Sequence, residues 1–420
     1  MLDIKFIREN LEVCKTAAKN KNREVDWDRL LALDEGRRSL QHELDDTRFT
    51  RNEVAKKGVV GKTDKDIQEK GRMYKERIKD YEERLRRVEK EYGELMLTVP
   101  NVPDKSVPIG KDEHGNVEVK TWGKLPEWDF PVKDHMALAT SLDLIDLERG
   151  AKVAGSRGYF LKNEAAQLEF AILFFAFQKL INKGYTPITA PTLVKEFALY
   201  GNGEFPWGRD TNVYKLENAD NYLSGTAEVP VTAYYSNEVL NEKDLPKKFV
   251  AFSPCFRREA GSYGKDTKGV YRIHQFNKIE QVIISTNDMN NSFTLHEELL
   301  ANAEEILQDL ELPYRVLLMC TGDMGEPQVK KYDIETWMPG RQAYGETMSN
   351  SVMGDFQARR LKIRYKTKDG KTLYCHTLNN TAIASPRILV AILENYQQKD
   401  GSIRVPKVLQ SLVGKDIIRR

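Results

Sequence analysis

FSPCFRREAGSYGKDTKGVYRIHQFNKIEQV, residues 252–282, is the stretch on which the fold turns. It reads as a strand, a long polar loop with glycines, and a returning strand. Side chains alternate faces along a strand, so Arg257 and Glu259 are expected on one face. By the same parity Arg272, Phe276 and Glu280 share one face of the return, and His274, read as structural, points toward the same pocket. One concave surface would then present two guanidiniums, two carboxylates and an aromatic ring. Guanidiniums grip phosphate oxygens in a fixed fork, a ring stacks on a base, and a carboxylate accepts from an amine. Ordinary surface ion pairs would explain any one of these residues but not the set.

Around this hairpin, strand-like and helical runs are mixed. KKFVAFSPCF (247–256), KIEQVIIS (278–285) and RLKIRYK (360–366) read as strands. Residues 163–183 read as one helix, with Asn163 as its cap and Gly184 at its end. There is no regular βαβ alternation, no GxGxxG fingerprint and no GxxxxGK[ST] phosphate loop. The expected fold class is therefore α+β, with a largely antiparallel sheet flanked by helices. ATP, if used, must be gripped without a glycine-rich phosphate loop.

Composition breaks near residue 100. Residues 1–99 contain no proline, whereas VPNVPDKSVPIGKDEHGN reads as a linker. The expected domains are residues 1–100, a linker at 101–120, and a second domain at 121–420. Leu33, Arg37, Leu40, Leu44, Thr47, Arg51 and Val54 step alternately by four and three, as do Ile67, Gly71, Tyr74, Ile78, Tyr81, Leu85, Val88, Tyr92 and Leu95. A 4-3 step keeps one seam facing a partner helix. The glycines of KKGVVGKTDKD between the two series would reverse the chain, giving an antiparallel hairpin about 45 Å long. Residues 48–79 hold eleven Lys or Arg against five Asp or Glu. That surplus suits a rod lying along a phosphate backbone, although a solvated coiled-coil face would also be charged.

The bulk numbers add exclusions. With 420 residues the chain suits two domains, and a formal charge of +2 decides nothing about nucleic acid. Cys14, Cys255, Cys320 and Cys375 form no CxxC pair, which favours neither a zinc site nor a disulfide framework and suits a reducing cytosol. The start, MLDIKFIREN, carries charges where a secretory signal needs an apolar run, and the longest apolar stretch, 170–177, is about half of what a membrane span requires. A cytoplasmic protein without membrane contact is expected.

Phe256-Arg-Arg-Glu-Ala-Gly-Ser with Arg272-Ile-His-Gln-Phe276 resembles motif 2 of the class II aminoacyl-tRNA synthetases, in the form seen in seryl-tRNA synthetases. Thr226-Ala227-Glu228 resembles that family's TAE segment, and CTGDMG (320–325) and DFQARR (355–360) resemble further family blocks. LNNTAIASPRILVAILENYQ (378–397) resembles motif 3, with its arginine at Arg387. GYTPITAP (184–191) resembles motif 1, which in the class supports a homodimer interface, and the N-terminal hairpin is similar to the family's tRNA-binding arm. The likeness runs along essentially the whole chain in the family's order.

The resemblance implies a reaction and a set of roles. Serine would be activated with ATP to seryl-adenylate and pyrophosphate, then passed to the terminal adenosine of tRNA(Ser), and of tRNA(Sec) where one exists. Arg257, Arg272, Arg387 and Glu280 would carry catalysis. Arg257 would bind the α-phosphate, Arg272 the γ-phosphate, Glu259 the adenine amino group, and Phe276 and Arg387 the two faces of the adenine. Arg258, Ile273, Thr347 and Met348 complete the implied ATP set. Glu346 and Ser349 would hold Mg²⁺, with no zinc expected. Thr226, Ala227, Glu228, Arg257, Glu280, Asn379 and Thr381 would surround L-serine, with Glu280 reading its hydroxyl or ammonium. A site that hydrogen-bonds the hydroxyl rejects alanine strongly, while threonine must be excluded by fit.

Some positions depart from the family pattern. Val352 replaces an asparagine common in bacterial relatives, Asn380-Thr381 replaces Gly-Ser, and Ser224-Gly225 replaces Ile-Pro. Pro386 precedes the motif 3 arginine, where Ser385 would cap the helix. A non-catalytic relative would be expected to have lost an arginine of motif 2 or 3, yet Arg257, Arg272 and Arg387 are all present.

Overall fold

The computed structural model describes residues 1–59, 65–209, 211–260 and 269–420. Two units separate: Leu2–Lys19 with Arg23–Pro100, and Asn101–Arg420 with Met1 and Asn20–Asn22.

The smaller unit is helical: α1 (Ile4–Glu9), α2 (Leu11–Asn20), α3 (Trp27–Val59) and α4 (Lys65–Thr98). Asp3 starts α1 by accepting from the Lys5 amide, which satisfies a donor the helix cannot. The long helices run antiparallel, since Arg29 pairs with Glu91 and Arg48 with Glu82. The 4-3 repeat appears as a dry seam of Leu40, Leu44, Ile78, Tyr81 and Leu85, with Val88 against it. Polar seam positions find separate solutions. Arg37 pairs with Asp34 at 3.0 Å and lies over the Tyr92 ring, Thr47 donates to the Glu43 carbonyl, and Arg51 is exposed. The expected chain reversal at 60–64 lies outside the described residues.

The larger unit is built on eight strands: β1 (Val117–Trp122), β2 (Thr186–Thr189), β3 (Lys247–Phe256), β4 (Gln275–Ser285), β5 (Tyr314–Leu318), β6 (Lys330–Met338), β7 (Ala343–Gly354) and β8 (His376–Ala384). Their order is β1-β5-β6-β7-β8-β4-β3-β2, and only the edge pair β2–β3 is parallel. Helices α5 (Asn163–Asn182), α6 (Met289–Asp309) and α8 (Arg387–Asn395) share one apolar cluster with the sheet, while α7 (Phe356–Leu361) packs elsewhere. Ile279 and Ile283 of β4 enter that cluster with Leu168, Leu299 and Ile388, each fully buried side chain contributing roughly 1.5–3 kcal/mol. Gln281 lies on the same face and is satisfied by Asn380, Asn302 and the Leu299 carbonyl. The alternate residues Phe276, Lys278 and Glu280 therefore face the other side, where the candidate site lies.

Several local expectations change. α5 is capped at Lys162; Asn163 has φ +48° and its amide donates to the Asp143 carbonyl instead. RLKIRYK is split, because Arg360 and Leu361 end α7 and only Arg364–Lys366 pair as a strand. Ser385 does not cap α8: its hydroxyl donates to Glu169, and Pro386 holds the cap position. The stretch read as a linker is packed on the larger unit. Asn101 donates to the Pro327 and Met353 carbonyls, Val107 is buried beside Leu317, and residues 117–122 form the edge strand β1. Among the described residues no helix is long and apolar enough to cross a membrane.

Candidate active site

The β3–β4 ladder ends at the pair Phe256–Gln275, so Arg257, Glu259 and Arg272 stand just beyond the strands. Glu259 has φ +54°, so strand parity does not set its direction. It nevertheless meets Arg272, whose Nη1 is 2.7 Å from Glu259 Oε2. Arg257 lies over the Phe276 ring at 5.3 Å, and its Nε donates to the Gly225 carbonyl at 3.3 Å. The connecting loop at 261–268 lies outside the described residues.

Two β-bulges build the rest. Residues three apart on a regular strand face opposite ways, yet Glu346 and Ser349 both line the cleft. The register explains it: Ile334 pairs with Met348 and Glu335 with Glu346, so Thr347 is the extra residue. Thr347 turns into the interior, where its hydroxyl meets that of Thr336 at 2.7 Å, and Met348 enters the core. In β8 the pairs Ile279–Ile383 and Glu280–Thr381 make Ala382 the extra residue, so Thr381 and Ala384 both face the cleft.

The cleft is partly open to solvent. Arg257, Glu259, Arg272, Ile273, Phe276 and Arg387 line it together with Glu346, Thr347, Met348 and Ser349. Lys278 and Thr381 also line the cleft, and both contact Glu280, which is wholly buried. Lys278 Nζ is 2.7 Å from Glu280 Oε2, while Asn379 Nδ2 and Thr381 Oγ1 donate to the same carboxylate at 3.0 and 3.2 Å. Lys278 was missed in the sequence reading, although its parity matches Phe276 and Glu280. Tyr271, also missed, lines the cleft beside Arg272.

Other expected residues lie apart. Arg258 is exposed, with its backbone amide bound to the Asn212 carbonyl. His274 lines a separate cavity, and its Nδ1 is 3.0 Å from the Arg257 carbonyl oxygen. Thr226, Ala227 and Glu228 sit on the segment that Arg257 holds through Gly225. The Ala227 side chain is buried, so this residue can offer only backbone groups, and Glu228 accepts from Asn202 and Gln357. Val352 belongs to the apolar core and faces away from Glu346 and Ser349, so it leaves that pair undisturbed.

The charges of the cleft are paired with one another: Arg272 with Glu259, Arg387 with Glu346, and Lys278 with Glu280. Burial alone would raise the Glu346 carboxyl, but Arg387 and Lys331 outweigh it and hold it down at about 2. Burial would lower Arg387, and the Glu346 charge raises it instead. Glu228 is pushed up to about 7, by burial first and then by the charge of Glu280. Glu346 and Ser349 offer hard oxygen donors to one cleft, as Mg²⁺ requires; one or two protein ligands suffice when nucleotide phosphates supply the others. Among the described residues there is no group of three or more His, Cys, Asp or Glu that could hold a metal. Guanidiniums around a ring, with a buried carboxylate below, suit an anionic nucleotide beside a small polar cation.

The chain matches known families and solved structures along its length. Residues 1–103 match the model for the seryl-tRNA synthetase N-terminal domain, and residues 213–396 that for the tRNA synthetase class II core domain (G, H, P, S and T). The serine–tRNA ligase of Deinococcus radiodurans is 46% identical over 418 residues, covering 99% of this chain and 98% of that protein. The serine–tRNA ligase of Dictyoglomus turgidum is 44% identical over 426 residues, covering 100% of this chain and 99% of that protein. Among solved structures, Pyrococcus horikoshii seryl-tRNA synthetase complexed with ATP superposes with TM-score 0.92 at 41% identity, covering 100% of this chain and 99% of that one. The Naegleria fowleri cytoplasmic enzyme in complex with AMP gives TM-score 0.88 at 31% identity, covering 100% and 99%.

Proposed function

The chain belongs to the seryl-tRNA synthetases, ATP-dependent class II ligases that join serine to tRNA, and we propose that the cleft described above carries that reaction through the residues named here. The observation that carries the assignment is the set of three internal ion pairs in one cleft. Each holds a charge that a substrate would claim.

Arg257, already over Phe276, takes the α-phosphate, and adenine stacks on the Phe276 ring. Arg272 turns from Glu259 to the outer phosphates, and Glu259 accepts from the adenine amino group. Arg387 covers the nucleotide from the opposite wall. Until ATP arrives the internal pairs keep these groups from standing desolvated and alone. Glu280, with Asn379 and Thr381 beside it, reads the serine hydroxyl or ammonium, and the Thr226–Glu228 segment closes that end. Glu346 and Ser349 would hold Mg²⁺, which would supply positive charge against the phosphates.

No protein nucleophile is needed. The serine carboxylate attacks the α-phosphorus in line, the bond to the bridging oxygen breaks, and pyrophosphate leaves. A ribose hydroxyl of the tRNA then attacks the seryl carbonyl and AMP departs. The arginines contribute mainly positioning and charge stabilisation.

The α3–α4 hairpin is read as the arm that holds the long variable arm of tRNA(Ser), by backbone and shape. The same reading extends to tRNA(Sec) where the organism has it. The homodimer is proposed through the motif 1 segment: β2 is an edge strand, and Phe170 and Phe174 on α5 are 74% and 54% exposed. A cytoplasmic location accords with four buried free thiols. Arg257→Ala tests the site reading. It should lower ATP–pyrophosphate exchange by at least about 100-fold, on the scale of one lost transition-state donor, with an unchanged thermal midpoint. Exchange within a fewfold of the parent would overturn the assignment of this arginine.

A further inference from the structure

Tyr271 ties together three parts of the cleft. Its hydroxyl donates to the Glu346 carbonyl at 3.0 Å, and its own carbonyl accepts from Arg387 Nε at 3.3 Å. The Arg387 guanidinium carbon lies 4.6 Å from the centre of the Tyr271 ring, and that of Arg341 also lies 4.6 Å from it. Arg341 comes from the short turn Pro339–Arg341 that follows β6. Tyr271 is only 9% exposed, and a cation–π contact gains strength where water is excluded. Gly345 makes room for the arrangement, because a Cβ there would stand 3.0 Å from the Tyr271 hydroxyl.

Arg387 has a second tether. Its Nη1 is 3.0 Å from Glu346 Oε2 and 3.1 Å from the Glu346 carbonyl oxygen. The carboxylate is also the group assigned above to the metal that accompanies ATP. A carboxylate that turns to a divalent cation gives up part of its hold on a guanidinium. Arg387 would then keep two neutral carbonyl acceptors and the aromatic ring. Of these, only the ring attracts the cation over its whole face.

We propose that Tyr271 is a positioning residue that keeps the Arg387 guanidinium over the nucleotide when Glu346 turns to the bound metal, with Arg341 holding the ring from its own turn. This rests on the nucleotide reading of Arg387 and Glu346. Tyr271 acts through Arg387 and not on the reacting atoms. The Tyr271 hydroxyl, bound to the Glu346 carbonyl, adds a direct link between the arginine clamp and the bulge that carries the metal pair. Ring and hydroxyl therefore make separable contributions, the ring to Arg387 and the hydroxyl to the place of Glu346.

The test is a double-mutant cycle in the full-length protein, read by calorimetric binding of a magnesium-loaded, non-hydrolysable ATP analogue without serine. Tyr271→Leu should weaken binding about tenfold, the size of a partly desolvated cation–π contact. Tyr271→Phe keeps the ring and should lose no more than about threefold. In an Arg387→Ala background Tyr271→Leu should add less than about twofold, because the residue it positions is gone. Loss of a buried ring lowers the thermal midpoint in both backgrounds alike, whereas the loss of nucleotide affinity appears only where Arg387 is present, a split that a merely structural role would not produce. A full tenfold effect in the Arg387→Ala background, or parental affinity in Tyr271→Leu, would overturn the proposal. Parental affinity in Arg387→Ala alone would instead remove the nucleotide reading on which it rests. Should the leucine variant not fold, Tyr271→Met enters the same cycle with the same outcomes.

Discussion

Glu280→Gln is the substitution that the geometry constrains most closely. The carboxylate is wholly buried, with Lys278 Nζ at 2.7 Å, Asn379 Nδ2 at 3.0 Å and Thr381 Oγ1 at 3.2 Å. Glutamine keeps the shape but replaces one acceptor with a donor and removes the charge. Lys278, only 5% exposed, then becomes a buried cation whose partners, the Thr381 hydroxyl at 3.1 Å and the glutamine carbonyl, carry no charge. Breaking one side of a buried pair costs about 3–5 kcal/mol, so a loss of about 3 kcal/mol is expected in the larger unit. Lys278→Met leaves a carboxylate that still accepts from Asn379 and Thr381, so its loss should be smaller, about 2 kcal/mol. The double variant has no orphan charge and should be no less stable than Glu280→Gln alone, a coupling of about 2 kcal/mol or more. Activity should follow a different pattern. A lost charge-assisted hydrogen bond is worth about 1.5–3 kcal/mol, or roughly 10- to 150-fold in kcat/KM for serine, and adding Lys278→Met should not restore it. The assays are urea unfolding at one protein concentration, so that assembly is held constant, and initial rates of ATP–pyrophosphate exchange. Additive stability losses would refute the pairing argument. Parental serine kinetics in Glu280→Gln would refute the serine role.

Three further outcomes are expected, one for the arm and two for the cleft. Replacing residues 35–90 with a short turn should leave ATP–pyrophosphate exchange within about twofold but lower tRNA charging by at least about 100-fold, since the phosphate contacts of the arm are removed; equal loss of both activities would sink that division of labour. Glu228 is held at about 7 by burial and by Glu280, so its ionised form declines as pH falls through that value. If the ionised form faces the serine ammonium, the serine KM rises below pH 7, approaching about tenfold per unit, and Glu228→Gln flattens the profile. Ser349→Ala should raise the magnesium needed for half-maximal exchange about 10-fold or more, on the scale of losing a contact that supports a metal; an unchanged requirement would take Ser349 out of the metal set.

Much of this architecture is legible in the sequence, and the misses have local causes. The heptad series marked the arm because burial follows helical periodicity, and Leu40, Leu44, Ile78 and Leu85 are buried as expected. Strand 247–256 was read to the residue, since its apolar run ends where the polar loop begins. Parity worked for Phe276 and Glu280 but not for Glu259, whose left-handed backbone no alternation rule describes. The spacing of Glu346 and Ser349 contradicts a regular strand, and only the Thr347 bulge brings them to one side. A bulge is a property of strand pairing, so one strand read alone does not reveal it. Asn163 looked like a helix cap because asparagine favours that place, but the Asp143 carbonyl offered its amide another partner. Lys278 was overlooked because a lysine inside a strand usually faces water; its burial follows from Glu280 two residues on.

The central claim, that this cleft activates serine and no other amino acid, is tested most directly by ATP–pyrophosphate exchange on the purified full-length protein with magnesium, against all twenty amino acids in turn. Exchange is expected with serine, none above background with alanine, and only weak exchange with threonine. Exchange driven by another amino acid, or none with any amino acid from folded protein, would contradict it.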